Sequence, residues 1–203
     1  SGIPQENDDI CGNCHRPFGS EFDRSVKGAH TVLYKSAQLP NPIVEFIDIT
    51  NTGPGEKPTV TFSLNGKNGP IHPGSMNRML FVITGPNEDW AYDYFYASED
   101  VRSAAPDGAN WVYTFETPLP DDAAGSFTVS FEGRINVDVD MGGPDPSGER
   151  DYAENPMMAF AISGGNAVER RMVVDDAKCE ACHLNLSLHG NNRHDVTYCS
   201  TCH

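Results

Sequence analysis

Between residues 43 and 162 the apolar positions recur in short runs at strand spacing rather than helical spacing. Thr59-Val60-Thr61-Phe62-Ser63-Leu64 alternates strictly, so Val60, Phe62 and Leu64 share one face and the hydroxyls take the other before Asn65-Gly66 turns the chain. Residues 43–49 form a more continuously apolar run, closed by the turn cluster Asn51-Thr52-Gly53-Pro54-Gly55. Further strands are expected over 79–84, ending at Gly85-Pro86, and over 91–97 and 111–116. Two more are expected over 126–139, where Phe127, Val129 and Phe131 share a face, and over 157–162, stopped by Gly164-Gly165. About seven short strands without helical periodicity between them predict a mainly β protein, an antiparallel split barrel or Greek-key β-sandwich. Gly142 to Gly148 reads as a surface loop, and helix is expected only in the flanking segments.

Composition agrees with this picture. The 203 residues suffice for one sizeable domain with or without a satellite, and 19 glycines and 15 prolines suit many tight turns. No run approaches the roughly 20 apolar residues of a membrane-spanning helix, so no membrane-spanning segment is expected. The formal net charge of −15 argues against nucleic acid or anionic lipid as partners. Asp138, Asp140, Asp145 and Asp151 raise the question of calcium, but their spacing is irregular and a solvated acidic loop is the simpler reading.

The chemistry lies in the cysteines. All six fall into three Cys-x-x-Cys-His motifs: Cys11, Cys14 and His15; Cys179, Cys182 and His183; Cys199, Cys202 and His203. Two cysteines at this spacing on one turn can each form a thioether to a haem vinyl group, and the histidine that follows can reach the iron. Three covalently bound haem c groups are therefore expected, with no cysteine left for a disulfide. The motifs divide the chain into a haem-binding segment (1–36), a cysteine-free β domain (37–170) and a second haem-binding segment (171–203). A zinc ribbon would fit the spacing of the last two pairs, but it gives no reason for a histidine after each pair and leaves the first motif unexplained. A thioredoxin-like site fails because no βαβ pattern surrounds any pair.

Each iron needs a sixth ligand, and His30, His72, His189 and His194 are the remaining histidines. His30 follows the first motif, His189 follows His183 by six residues, His194 precedes Cys199, and His72 lies in a β-domain loop. The six methionines, Met76, Met79, Met141, Met157, Met158 and Met172, lie in or beside the β zone, where packing accounts for them. Bis-histidine ligation leaves no open iron, which favours electron transfer over a multihaem small-molecule reductase. The chain opens without a signal-like segment. Covalent haem attachment follows export, so a mature chain or an excised piece is the expectation, and a chain stopping at the ligand His203 reads as a truncation.

Beyond the motifs, the chain resembles the OmcA/MtrC family of decahaem outer-membrane cytochromes of metal-reducing bacteria. The likeness rests on Ser25-Val26-Lys27-Gly28-Ala29-His30 leading into Ser36-Ala37-Gln38-Leu39-Pro40, and on Pro58-Thr59-Val60-Thr61-Phe62. It is sharper over Arg170-Arg171-Met172-Val173-Val174-Asp175 and Lys178-Cys179-Glu180-Ala181-Cys182-His183, with Leu186, His189-Gly190, Arg193 and the final Cys199-Ser200-Thr201-Cys202-His203. The resemblance implies split-barrel β domains alternating with haem clusters, bis-histidine irons with His15, His183 and His203 proximal, and a place on the outer face of the outer membrane or outside the cell, the periplasm being the alternative. It implies electron delivery to metal oxides, flavins or partner cytochromes. Three motifs instead of ten make the chain a portion or a short relative. An assembly module of a polymeric cytochrome wire, joining copies of itself, is the second reading. No lipid-anchoring cysteine lies near Ser1, and the cysteine-free β zone carries no redox-regulated disulfide.

Overall fold

A computed structural model of the chain describes residues 11–88, 94–144, 146–172, 174–182 and 186–201. The alternating runs become strands β1 (Ile43–Thr50), β2 (Thr59–Gly66), β3 (Gly69–Pro70), β4 (Arg78–Gly85), β5 (Phe95–Asp100), β6 (Ala105–Asp107), β7 (Asn110–Thr114), β8 (Ser126–Val139), β9 (Ser147–Tyr152) and β10 (Met157–Ala161). They form two antiparallel five-stranded sheets. One runs β1-β2-β7-β6 with β3 beside β2, the other β10-β8-β4-β5 with β9 beside β8. The two sheets make the expected sandwich. The described helices are single turns, α1 (Cys11–Cys14), α2 (Val26–Ala29), α3 (Asp176–Glu180) and α4 (Val196–Cys199), all in the flanking segments. Among the described residues no helix is long and apolar enough to cross a membrane.

The chain divides into two compact units: Ser1–Pro40 with Asn136–Asp151, and Asn41–Ile135 with Tyr152–His203. The hydrophobic core belongs to the second. Val60, Phe62 and Leu64 point inward from one sheet and Phe127, Val129 and Phe131 from the other, all nearly inaccessible. Phe81 of β4 sits among them, edge-on to Phe46 at 5.2 Å, Phe62 at 4.8 Å and Phe131 at 6.1 Å, measured between ring centres. Such pairs each add about 0.5–1.5 kcal/mol beyond burial of their area. At the edge of the sandwich, Glu99 of β5 accepts the Tyr113 hydroxyl of β7 and the N–H groups of Glu116 and Thr117, each at 2.8 Å. Burial alone would raise the Glu99 carboxyl, but these hydrogen bonds prevail and hold it below its ordinary pKa. Burial and the same carboxylate push the Tyr113 phenol well above its own.

The structure refines several strand assignments. β1 carries a bulge between Phe46 and Asp48, so Phe46 and Ile49 both pack on the core although they are an odd number of residues apart, and Ile47 is turned out to solvent. The strand expected over 91–97 is β5, displaced toward Asp100, with residues 91–93 outside the described set. β9 begins inside the loop expected to reach Gly148, and the short β3 and β6 pair only at sheet margins.

β8 departs most from simple alternation. Its second face, Ser126, Thr128, Ser130 and Glu132, is as buried as its apolar face. A polar strand face is buried only where something satisfies it. Ser126 Oγ accepts the Val168 N–H at 2.9 Å, Thr128 donates to Asn87 Oδ1 at 3.0 Å, and Ser130 donates to the Val82 carbonyl at 3.2 Å. Glu132 is met by three side chains described below. At Glu132 the covering residues Arg193 and Tyr198 come from the second flanking segment.

Candidate haem sites

In the first unit, the turn α1 carries Cys11 and Cys14, and the chain then doubles back. The Val26 N–H donates to the Arg16 carbonyl at 2.8 Å and the Lys27 N–H to the Pro17 carbonyl at 3.2 Å. Asp23 locks the intervening loop by accepting the N–H groups of Ser20 and Ser25, both at 2.8 Å, and Ser25 caps α2 through the Gly28 N–H at 2.9 Å. Gly28 is required by close approach: a Cβ there would lie 2.3 Å from the Ser20 carbonyl oxygen. His15 and His30 belong to this one knot of hydrogen bonds. His15 Nδ1 donates to the Arg24 carbonyl at 3.0 Å, and His30 Nδ1 donates to the Val26 carbonyl at 2.7 Å. A carbonyl only accepts, so each ring carries its proton on Nδ1 and presents the Nε2 lone pair, the tautomer an iron ligand needs.

His72 is arranged in the opposite sense. Its Nδ1 accepts the Gly74 N–H at 3.0 Å, capping a short 3-10 turn (Pro73–Ser75), and its ring meets Trp111 edge-on at 4.7 Å. The neutral ring therefore carries its proton on Nε2.

In the second flanking segment, both motifs sit on turns capped in the same way. Asp175 accepts the Ala177 N–H at 3.1 Å ahead of Cys179, and Asp195 accepts the Thr197 N–H at 2.7 Å ahead of Cys199. Each cap lies four residues before the first cysteine. A tight loop closed by the Leu188–Arg193 bridge presents His189, itself in a left-handed backbone conformation and exposed. His194 is half-buried, stacked on Tyr152 with ring centres 3.2 Å apart and planes 9° from parallel. Burial lowers its pKa, against hydrogen bonding to the Asn191 and Leu186 backbone, so the ring is held neutral. His183, Cys202 and His203 lie outside the described residues, as does the side chain of Cys14.

Two buried groups moor this segment to the sandwich, and neither was singled out from the sequence. Asn155 uses its whole amide. Its Nδ2 donates to the Phe131 carbonyl at 3.0 Å and the Asn192 carbonyl at 2.9 Å, while its Oδ1 accepts the His194 N–H at 2.8 Å. Glu132 accepts from Arg78 on one oxygen, and from Arg193 Nε at 2.7 Å and the Tyr198 hydroxyl at 3.2 Å on the other. Burial pushes its carboxyl up, yet the two guanidinium groups outweigh burial and keep it ionised. Tyr198 precedes Cys199, so the anchor reaches the third motif directly. The one sequence signal was the hydroxyl-rich Ser126-Phe127-Thr128-Val129-Ser130-Phe131-Glu132, whose polar face lacks the lysines of a solvated strand.

Whether the residues suit haem can be judged from the surfaces beside the motifs. Phe18, Val26 and Val32 stay exposed around the first, and Met172, Val174 and Leu188 around the others, apolar surface of the kind a porphyrin covers. Cys11, Cys179, Cys182 and Cys199 are thiols rather than disulfides. Cys199 and Thr201 border a cavity of about 330 Å³ whose other walls include Thr128, Ala159, Arg170 and Met172. The donor sets and these surfaces fit haem. Among the described residues no three His, Cys, Asp or Glu side chains gather to hold a bare metal ion. Asp140 instead closes a turn by accepting the Gly142 N–H at 2.8 Å, and Asp145 is outside the described set.

No family model matches the chain, and no curated protein does. The fold is similar to that of the crystal structure of MtrC from Shewanella baltica OS185, with a TM-score of 0.58 at 14% identity. The match covers 92% of this chain and 34% of that one, so the chain spans about a third of the length of the protein it matches. At this identity the likeness is one of fold.

Proposed function

We propose that the chain is a multihaem c-type cytochrome that carries electrons in extracellular respiration, at the cell surface or outside the cell, exchanging them with other multihaem cytochromes, flavins or metal oxides. The observation that carries this reading is the placement of all six cysteines in Cys-x-x-Cys-His motifs flanking a sandwich whose fold is similar to that of MtrC. Cys11 and Cys14, Cys179 and Cys182, and Cys199 and Cys202 would hold three haems, with His15, His183 and His203 as proximal ligands. When bound, each haem supplies a one-electron couple at its iron.

The chain's own residues set the ligand geometry. His15 and His30 are held with Nε2 available by the Arg24 and Val26 carbonyls. His194 is kept neutral by burial against Tyr152, and His189 is presented at the tip of its loop. We assign His30, His189 and His194 as the distal ligands. His72 is the spare histidine, because its Nδ1 is spent on the Gly74 N–H. With both axial positions filled, no iron is open to a small substrate, which separates this reading from a reductase.

The test is the intact mass of the exported chain together with its reduced-minus-oxidised spectrum. Added mass equal to three haems and low-spin bands are expected. An unmodified mass would overturn the proposal, and a high-spin signal would move it toward small-molecule reduction.

A further inference from the structure

The cavity of about 330 Å³ opens on the outer face of the β10-β8-β4-β5 sheet. Ala159, Thr128 and Thr84, in register across β10, β8 and β4, pave its floor with short side chains. Met157 adds apolar wall, and none of the described lining residues is a histidine. Its size suits a small organic ligand. Several polar groups around it are already spent: the Thr128 hydroxyl donates to Asn87 Oδ1 at 3.0 Å, and Asn87 Nδ2 donates to the Val168 carbonyl at 2.8 Å. Two others are not. The Thr84 hydroxyl makes no hydrogen bond among the described residues although the residue is only 7% exposed, so it keeps a donor and an acceptor for whatever enters. At the rim, Arg170 has no acid or other acceptor among the described residues: Glu169 borders the same rim without pairing to it, and Arg171 is engaged with a partner of its own. Arg170 is held near the sheet, because the Val168 backbone two residues before it is gripped at its N–H by Ser126 Oγ at 2.9 Å and at its carbonyl by Asn87.

We propose that this cavity binds a small aromatic carboxylate bearing a second polar group. The ring lies on the floor of short side chains and against Met157, whose thioether packs favourably on an aromatic ring. The carboxylate pairs with Arg170, whose guanidinium offers two parallel N–H donors to a planar anion. The second polar group bonds to the Thr84 hydroxyl, giving that buried group the partner it lacks. The site calls on no iron and on none of the Cys-x-x-Cys-His histidines, so it stands or falls independently of the haem reading.

Isothermal titration calorimetry of the exported chain, as isolated and at neutral pH, tests this with 6-hydroxy-2-naphthoate as the probe. The parent 2-naphthoate lacks the hydroxyl, and 2-naphthol lacks the carboxylate. The full probe binds tightest of the three. R170Q weakens both carboxylates about three- to fivefold and leaves 2-naphthol unchanged. T84V, nearly identical in shape, weakens 6-hydroxy-2-naphthoate about fivefold and leaves 2-naphthoate unchanged. Circular dichroism confirms that both variants keep the sandwich. No binding of 6-hydroxy-2-naphthoate at millimolar concentration would overturn the proposal, and so would binding that is insensitive to either substitution, since the probe would then sit elsewhere or in another orientation.

Discussion

Replacing Glu132 by Gln tests the mooring of the C-terminal segment with almost no change of shape. The native carboxylate is 1% exposed and receives Arg78 on one oxygen and Arg193 and Tyr198 on the other. An amide keeps one acceptor and turns its NH₂ toward donors on the remaining side. Removing one partner from a buried ion pair costs about 3–5 kcal/mol. Arg78, with its side chain 37% exposed, recovers hydration, whereas Arg193, at 18%, recovers little. The expected loss is about 2–3 kcal/mol, set mainly by the stranded Arg193. Urea unfolding at pH 7 measures the total, and hydrogen exchange read by mass spectrometry locates it. Amides in 186–201 should exchange faster while those of β2 and β7 do not. A loss below about 0.5 kcal/mol, with unchanged exchange in 186–201, would show that Glu132 does not hold the segment. The exposed Arg102–Asp100 pair, both side chains 46% exposed, is the control, and D100N should leave the urea midpoint in place.

Three further outcomes are expected. Glu99 has a folded pKa below its ordinary 4.5, so the stability it contributes is present above that pH and is lost as pH falls through the folded value; E99Q should be less stable than wild type at pH 7, and urea titrations near pH 3 should find the gap narrowed. H194A should turn one low-spin haem high-spin in the oxidised spectrum, whereas H72A should leave every haem low-spin; a high-spin signal from H72A would reverse the ligand assignment. G28A drives a Cβ against the Ser20 carbonyl and the Asp23 side chain, so the loop between His15 and His30 should open, seen as proteolytic cleavage within 19–28 without loss of the sandwich by circular dichroism.

The sandwich was legible because its strands obey a rule of period two: the inward triads Val60-Phe62-Leu64 and Phe127-Val129-Phe131 could be named from spacing alone. The bulge at Ile47 was not legible, since an inserted residue interrupts the very period being read. The Cys-x-x-Cys-His motifs were equally plain, because such a motif is spacing along the chain and nothing else. How each histidine ring is held was beyond the sequence. The difference between His30 and His72 is whether Nδ1 faces a carbonyl or an N–H, a matter of backbone direction that composition does not encode. Glu132, Asn155 and Tyr198 were missed for a related reason: each is a polar residue made interior by a segment tens of residues distant along the chain.

The burial of that polar strand face also imposes a timetable. The mooring combines Arg78 from β4, Glu132 from β8, Asn155 from the turn before β10, and Arg193 and Tyr198 from the C-terminal stretch. It does not exist until β4 and β8 have zipped together, a non-local and hence slow event. On the haem reading proposed above, the thiols of the C-terminal stretch would stay accessible to attachment until that mooring forms.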